Sequence, residues 1–131
     1  MRLVIDASAG LYVATSARGF GGLEGHDLVA PPLFWSESVS ALHQISWRGG
    51  LSRRAVTHAL EAILLAPIDR VSPPDLARRA WDLADRLGWA KTYDAEYVAL
   101  AHALGLPLLT RDARLGRVAA RIVEVVAPAD L

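Results

Sequence analysis

The chain has 131 residues, enough for one domain with a real core. Apolar residues make up 53% and charged residues 21%, which excludes a disordered chain. Formal net charge is zero and cysteine is absent. There is thus no strongly basic footprint for nucleic acid, and no disulfide, thiolate metal site or cysteine nucleophile.

Leu3 to Asp6 reads as a short buried strand, and Ser8 is placed to cap a helix through about Ser16. Arg2 is followed by only a short apolar run, so no signal peptide is read and a cytoplasmic location is expected. No apolar stretch approaches the roughly 20 residues that span a bilayer. Gly19 to Gly22 is a glycine-rich loop and Asp27 to Ala30 a second strand. Pro31-Pro32 opens a helix to about Trp47, with Phe34, Trp35, Val39, Leu42 and Ile45 as its apolar stripe. Leu51 to Leu65 is a helix opened by Ser52, and Ile68 to Val71 a strand. The helix after Ser72-Pro73-Pro74-Asp75 ends near Gly88, with Asp75–Arg79 and Asp82–Arg86 as i,i+4 pairs. A helix from Thr92 or Tyr93 to Leu104, a strand Leu106 to Thr110, a helix Ala113 to Ala120 and a strand Ile122 to Val126 complete the chain.

Strands alternating with helices predict one α/β domain over residues 1–131, with a mostly parallel sheet covered on both faces. In such folds sites open at the carboxyl ends of strands. Asp6 falls at one such end and Asp112 just past another. Asp94 starts its helix, and Glu37 lies about one turn into its own. A carboxylate against a core element is costly unless compensated. Four that converge call for a cation, and hard ions such as Mg²⁺ or Mn²⁺ take oxygen ligands.

The segments Val4-Ile5-Asp6-Ala7-Ser8, Pro32-Leu33-Phe34-Trp35-Ser36-Glu37, Tyr93-Asp94-Ala95-Glu96-Tyr97-Val98-Ala99-Leu100-Ala101 and Leu108-Leu109-Thr110-Arg111-Asp112 carry a resemblance. Together, in this order, they resemble the PIN-domain ribonucleases, and among them the VapC-type toxins of bacterial toxin–antitoxin pairs. The resemblance covers almost the whole chain and implies a three-layer α/β/α PIN-like domain. It implies an endoribonuclease dependent on Mg²⁺ or Mn²⁺, in which metal-activated water opens the RNA phosphodiester, leaving 3′-hydroxyl and 5′-phosphate ends. Asp6, Glu37, Asp94 and Asp112 are then the catalytic quartet. Asp6 and Asp94 are the direct metal ligands, with Glu37 and Asp112 in support. Ser8 and Thr110 would orient carboxylates around the metal, or serve only as helix cap and strand terminus. The resemblance also implies a homodimer and a small antitoxin partner.

Glu96 lies about 200° around the helix from Asp94, so it is expected to face solvent or a neighbouring helix. His102 is roughly 12 Å along the axis from Asp94, too far to share its metal. His26, His43, His58 and His102 share no motif, which argues against a histidine mechanism. Of the 14 basic residues only Lys91 is lysine. Arg111, Arg114, Arg117 and Arg121 surround the last acid, with Arg111 and Arg114 the nearest candidates for RNA phosphates. Trp35, Trp47, Trp81 and Trp89 read as core or interface residues. Two rival classes are a phospho-acceptor signalling domain, which would need a lysine near the last strand, and a PIN-like module that binds RNA or protein without cutting.

Overall fold

The computed structural model describes residues 1–131. Its strands are β1 (Arg2–Ile5), β2 (Asp27–Ala30), β3 (Ile68–Arg70), β4 (Leu108–Leu109) and β5 (Val125–Val126). Its helices are α1 (Ala7–Ala14), α2 (Leu33–Trp47), α3 (Arg53–Leu64), α4 (Leu76–Leu87), α5 (Tyr93–Leu104) and α6 (Ala113–Ala119). Leu3, Val4 and Ile5 have no exposed surface, and a strand buried on both faces belongs in the middle of a parallel sheet. β1 lies there: the order is β3-β2-β1-β4-β5, with every pairing parallel.

The connections from β1 to β2 to β3 step one way, and those from β3 to β4 to β5 step the other. Right-handed crossovers then send the two sets of helices to opposite faces. Accordingly α1, α2 and α3 pack on one another, while α4 packs on α5 and α5 on β1 and β4. The fold is three layers, α/β/α. The direction of winding reverses between β1 and β4, and the carboxyl ends of those two strands frame the crevice where such folds place their sites.

Two close approaches set the helices that carry the acids. Gly10 on α1 faces the Phe34 ring of α2 so closely that a Cβ there would stand 2.4 Å from it. Phe34 is fully buried and three residues before Glu37, so this contact fixes the turn of α2 that carries Glu37. α5 buries Ala95, Tyr97, Val98, Ala99, Leu100 and Ala101, and its alanines let it lie close between sheet and α4. Gly105 closes it with φ +65°, a left-handed cap that glycine adopts without strain.

Several local expectations are corrected. Asp6, not Ser8, caps α1: its carboxylate accepts from the Ala9 N–H at 2.9 Å, and Ser8 lies inside the first turn. The chain turns into the helix one residue after the strand ends, which leaves the cap position to Asp6. Gly19–Leu23 is a 3₁₀ turn, not an open loop. β4 and β5 are shorter than their apolar runs, because a strand lasts only as long as its neighbour pairs with it, and Arg121 to Val123 are taken up by a turn. Asp82 pairs with Arg78 at 3.3 Å and not with Arg86, whereas Asp75 and Arg79 pair as read, at 2.6 Å. Trp35 and Trp89 are half-buried, but Trp47 and Trp81 are 85% and 64% exposed and take no part in the core. No helix is long and apolar enough to cross a membrane.

Candidate active site

Asp6 sits where β1 becomes α1 and is 3% exposed. Burial raises its pKa, and the charge of Asp94 pushes the same way. Three donors oppose that rise. Thr110 Oγ1 donates to Asp6 Oδ2 at 2.5 Å, while Ser8 Oγ at 2.7 Å and the Ala9 N–H at 2.9 Å donate to Oδ1. Both hydroxyls are themselves fed by backbone. Thr110 Oγ1 accepts from the Asp112 N–H at 3.1 Å, and Ser8 Oγ from the Arg111 N–H at 3.0 Å. Each hydroxyl has one hydrogen, and both hydrogens are spent on Asp6. The 3.2 Å approach of Ser8 to Thr110 is therefore a contact between neighbours and not a further hydrogen bond.

Glu37 is half-buried on α2. Its pKa is raised by burial and by the charges of Asp94, Asp6 and Glu96, against one hydrogen bond. That bond is from Tyr97 Oη to Glu37 Oε1, 3.0 Å long. Tyr97 is fully buried, and desolvation together with the Glu37 charge holds its phenol protonated. Asp94 is in the first turn of α5, where the helix dipole favours an anion. Although exposed, it is desolvated enough by its surroundings to raise its pKa, and Asp112 adds to the rise. Asp112 caps α6, its Oδ1 accepting from the N–H groups of Arg114 at 2.9 Å and Leu115 at 3.1 Å.

The four acids thus feel one another in sequence: Asp112 on Asp94, Asp94 on Asp6, and both Asp94 and Asp6 on Glu37. Glu37, Asp94 and Asp112 line an open cleft of about 630 Å³, with Lys91, Arg114 and Arg117 on its walls. None of the four is in an ion pair, since both ion pairs of the chain lie on the exposed side of α4. No three of the carboxylates or histidines converge tightly enough to hold an ion between them as the side chains stand. This donor set fits a hard divalent cation of the Mg²⁺ type, which keeps several waters and needs only one or two direct carboxylates.

The other candidates divide. Ser8 and Thr110 both touch Asp6. Arg114 lines the cleft, but Arg111 lays its guanidinium over the Tyr12 ring, 4.2 Å from its centroid. Glu96 is half-buried and acts on Glu37, closer to the quartet than its position around the helix predicts. The reason is that α5 turns its Tyr97 side toward Glu37, and Glu37 feels the charges of both Asp94 and Glu96. His102 is exposed and lines no part of the cleft. Arg117, the lesser candidate of the arginines around Asp112, lines the cleft with Arg114, while Tyr97 and Lys91 are site residues that the sequence pattern does not single out. The signal for Tyr97 was its spacing, three residues past Asp94 and so near its face.

The family model for the PIN domain matches residues 3–121. Ribonuclease VapC3 of Mycobacterium tuberculosis is 37% identical over 121 residues, which cover 88% of this chain and 86% of the relative. VapC ribonuclease Mb0985 of Mycobacterium bovis is 32% identical over 114 residues, 86% of this chain and 87% of the relative. Two solved structures share the fold. PAE2754 from Pyrobaculum aerophilum superposes with a TM-score of 0.77 at 24% identity, covering 98% of this chain and 90% of its own. VapBC2 from Rickettsia felis, bound to a DNA fragment from their promoter, gives 0.65 at 12% identity, covering 97% and 98%. The chain belongs to the PIN-domain family, in its VapC branch.

Proposed function

We propose that this chain is an endoribonuclease dependent on Mg²⁺ or Mn²⁺, and the toxin of a toxin–antitoxin pair. The observation that carries the reading is the group of acids at and just behind the cleft, of which Asp6, Glu37 and Asp94 have pKa values raised by burial and mutual repulsion, with no cationic side chain paired to any of them. The relatives named as ribonucleases support RNA as substrate, and the VapBC2 complex supports a small antitoxin as partner.

Asp6 and Asp94 would hold the ion, with Glu37 and Asp112 reaching it through water or supporting a second one. Bound there, the ion would supply charge stabilisation at the phosphate and a lower pKa for water. Ser8 and Thr110 fix the orientation of Asp6, because each hydroxyl is anchored on backbone at its far side. Tyr97 occupies Oε1 of Glu37 and leaves Oε2 to accept a proton from attacking water. A raised pKa suits Glu37 to that task. Lys91, Arg114 and Arg117 would hold RNA phosphates at the cleft wall. Exposed Trp47, Leu65 and Trp81 support pairing with a second copy or with the antitoxin.

The phospho-acceptor alternative needs a lysine at the last strand. Lys91 does line the cleft, but it comes from the segment before α5. The presence of all four acids, three lining the cleft and Asp6 buried behind them within reach of their charge, argues against a PIN-like module that does not cut. Purified protein should cleave single-stranded RNA with Mg²⁺ added and stop on chelation with EDTA. Absence of cleavage under both Mg²⁺ and Mn²⁺ would contradict the reading.

A further inference from the structure

A second hollow has a volume of about 380 Å³. Arg79 and Arg86 of α4, His102 of α5 and Arg121 of the turn after α6 stand on its walls. The one acid there, Asp82, is already paired with Arg78, and Arg79 is paired with Asp75. Arg86 and Arg121 have no ion-pair partner.

The two hollows have no lining residue in common, but the same two stretches of chain supply walls to both. On one side the acidic cleft is lined by Gly88 and Trp89, and the second hollow by Arg86, two residues back. On the other side Arg114, Arg117 and Val118 line the first, and Arg121 follows three residues later in the second. Two residues on one side and three on the other carry the chain from the first hollow to the second, so the hollows are successive stretches of one groove bounded by the end of α4 and by α6 with its following turn, with Ala99 and His102 of α5 also lining the second. The opposite flank of the cleft differs. There a hollow of about 340 Å³ is lined by Ser36, Ser40 and Gln44, with Glu37 as its only charge.

We infer that the groove between α4 and α6 is a track for the phosphate backbone of RNA that runs out of the cleft, with Arg86 and Arg121 as its phosphate contacts. This rests on the nuclease reading given above. An acidic centre repels the phosphates on either side of the one being cut, and a strand crossing it leaves where cations receive it. Of these two hollows, only the one with Arg86 and Arg121 provides them. Arginine forks suit phosphate oxygens, and such contacts position a strand without reading its sequence. The groove therefore lengthens the footprint on RNA and adds no base preference.

The test uses the full chain, fluorescein-labelled single-stranded RNAs of about 4 and about 16 nucleotides, and anisotropy in EDTA so that nothing is cut. In Arg86→Gln with Arg121→Gln, affinity for the long RNA should fall about tenfold at roughly 0.1 M salt, and the slope of log affinity against log salt by about 1.4. The loss should be confined to the long RNA. Arg86→Lys with Arg121→Lys should restore most of it, which guards against a variant that fails to fold. Unchanged affinity of the glutamine variant for the long RNA overturns the inference. So does a variant that keeps RNA but loses a polyglutamate peptide bound by the wild type, since the groove would then serve an acidic protein. Wild-type protein that binds the long RNA yet cuts neither RNA with Mg²⁺ overturns the nuclease reading instead, and the groove's assignment as a substrate track with it.

Discussion

Thr110 donates its hydroxyl to Asp6 Oδ2 at 2.5 Å, and so ties the end of β4 to the end of β1 across the point where the sheet reverses its winding. Thr110 Oγ1 in turn accepts from the Asp112 N–H. Thr110→Val removes both bonds at constant shape. It should cost about 1–3 kcal/mol of stability, since a buried carboxylate loses a donor. Mn²⁺ affinity should fall about 10–100-fold, as when a group that orients a ligand is lost. Thermal melts and Mn²⁺ titration check the two effects separately. A loss of stability with Mn²⁺ affinity intact would leave Thr110 a strand terminus and nothing more.

Asp94 has raised its pKa through desolvation and the charge of Asp112. A folded-state pKa above the unfolded one means that the folded protein binds more protons between the two values. Its contribution to stability is therefore full below the ordinary carboxylate pKa and lost as pH rises through the raised one. At neutral pH the charge is a burden in protein without metal. Asp94→Asn should melt higher than wild type in EDTA at pH 7, and the gap should close as pH falls toward 4. A divalent cation should raise the wild-type melt and leave the variant's nearly unmoved. Wild type melting above the variant in EDTA at pH 7 would be incompatible with an uncompensated cluster.

Tyr97 donates to Glu37, and that bond holds the Glu37 pKa below where burial alone would set it. Tyr97→Phe removes the donor and keeps the ring. Glu37 should titrate at higher pH, and the acidic limb of the rate profile should move up with it. An unmoved limb, in a variant with normal folding, would separate Glu37 from turnover.

Asp112 serves both as helix cap and as a member of the acidic set. Asparagine caps as well as aspartate does, so Asp112→Asn should keep stability and lose activity. Asp112→Ala should lose activity and about 1 kcal/mol of stability as well. Full activity in Asp112→Asn would reduce Asp112 to its capping role.

Much of this architecture was legible because it is local. Ser52 before an amphipathic run reads as a cap, and its hydroxyl does accept from the Ala55 N–H. The acids were legible as a set because β1 and β4 are apolar runs that end at them, and parallel strands bring such ends to one edge. Asp6 and Ser8 were exchanged in capping because both are good caps. Only the residue at which β1 stops decides between them. Glu96 and Tyr97 depend on how α5 turns toward α2, where Tyr97 meets Glu37, and no periodicity reveals that. Lys91 and Arg117 line the cleft through the meeting of two segments far apart in sequence.

The most direct test is the chemistry of the ends that purified protein leaves on RNA with Mg²⁺, in EDTA, and in folded Asp94→Asn. The expected result is 5′-phosphate and 3′-hydroxyl ends, formed with Mg²⁺ only and absent in the variant. Cleavage that persists in EDTA, or 2′,3′-cyclic phosphate ends, would contradict hydrolysis by a metal held on Asp6 and Asp94.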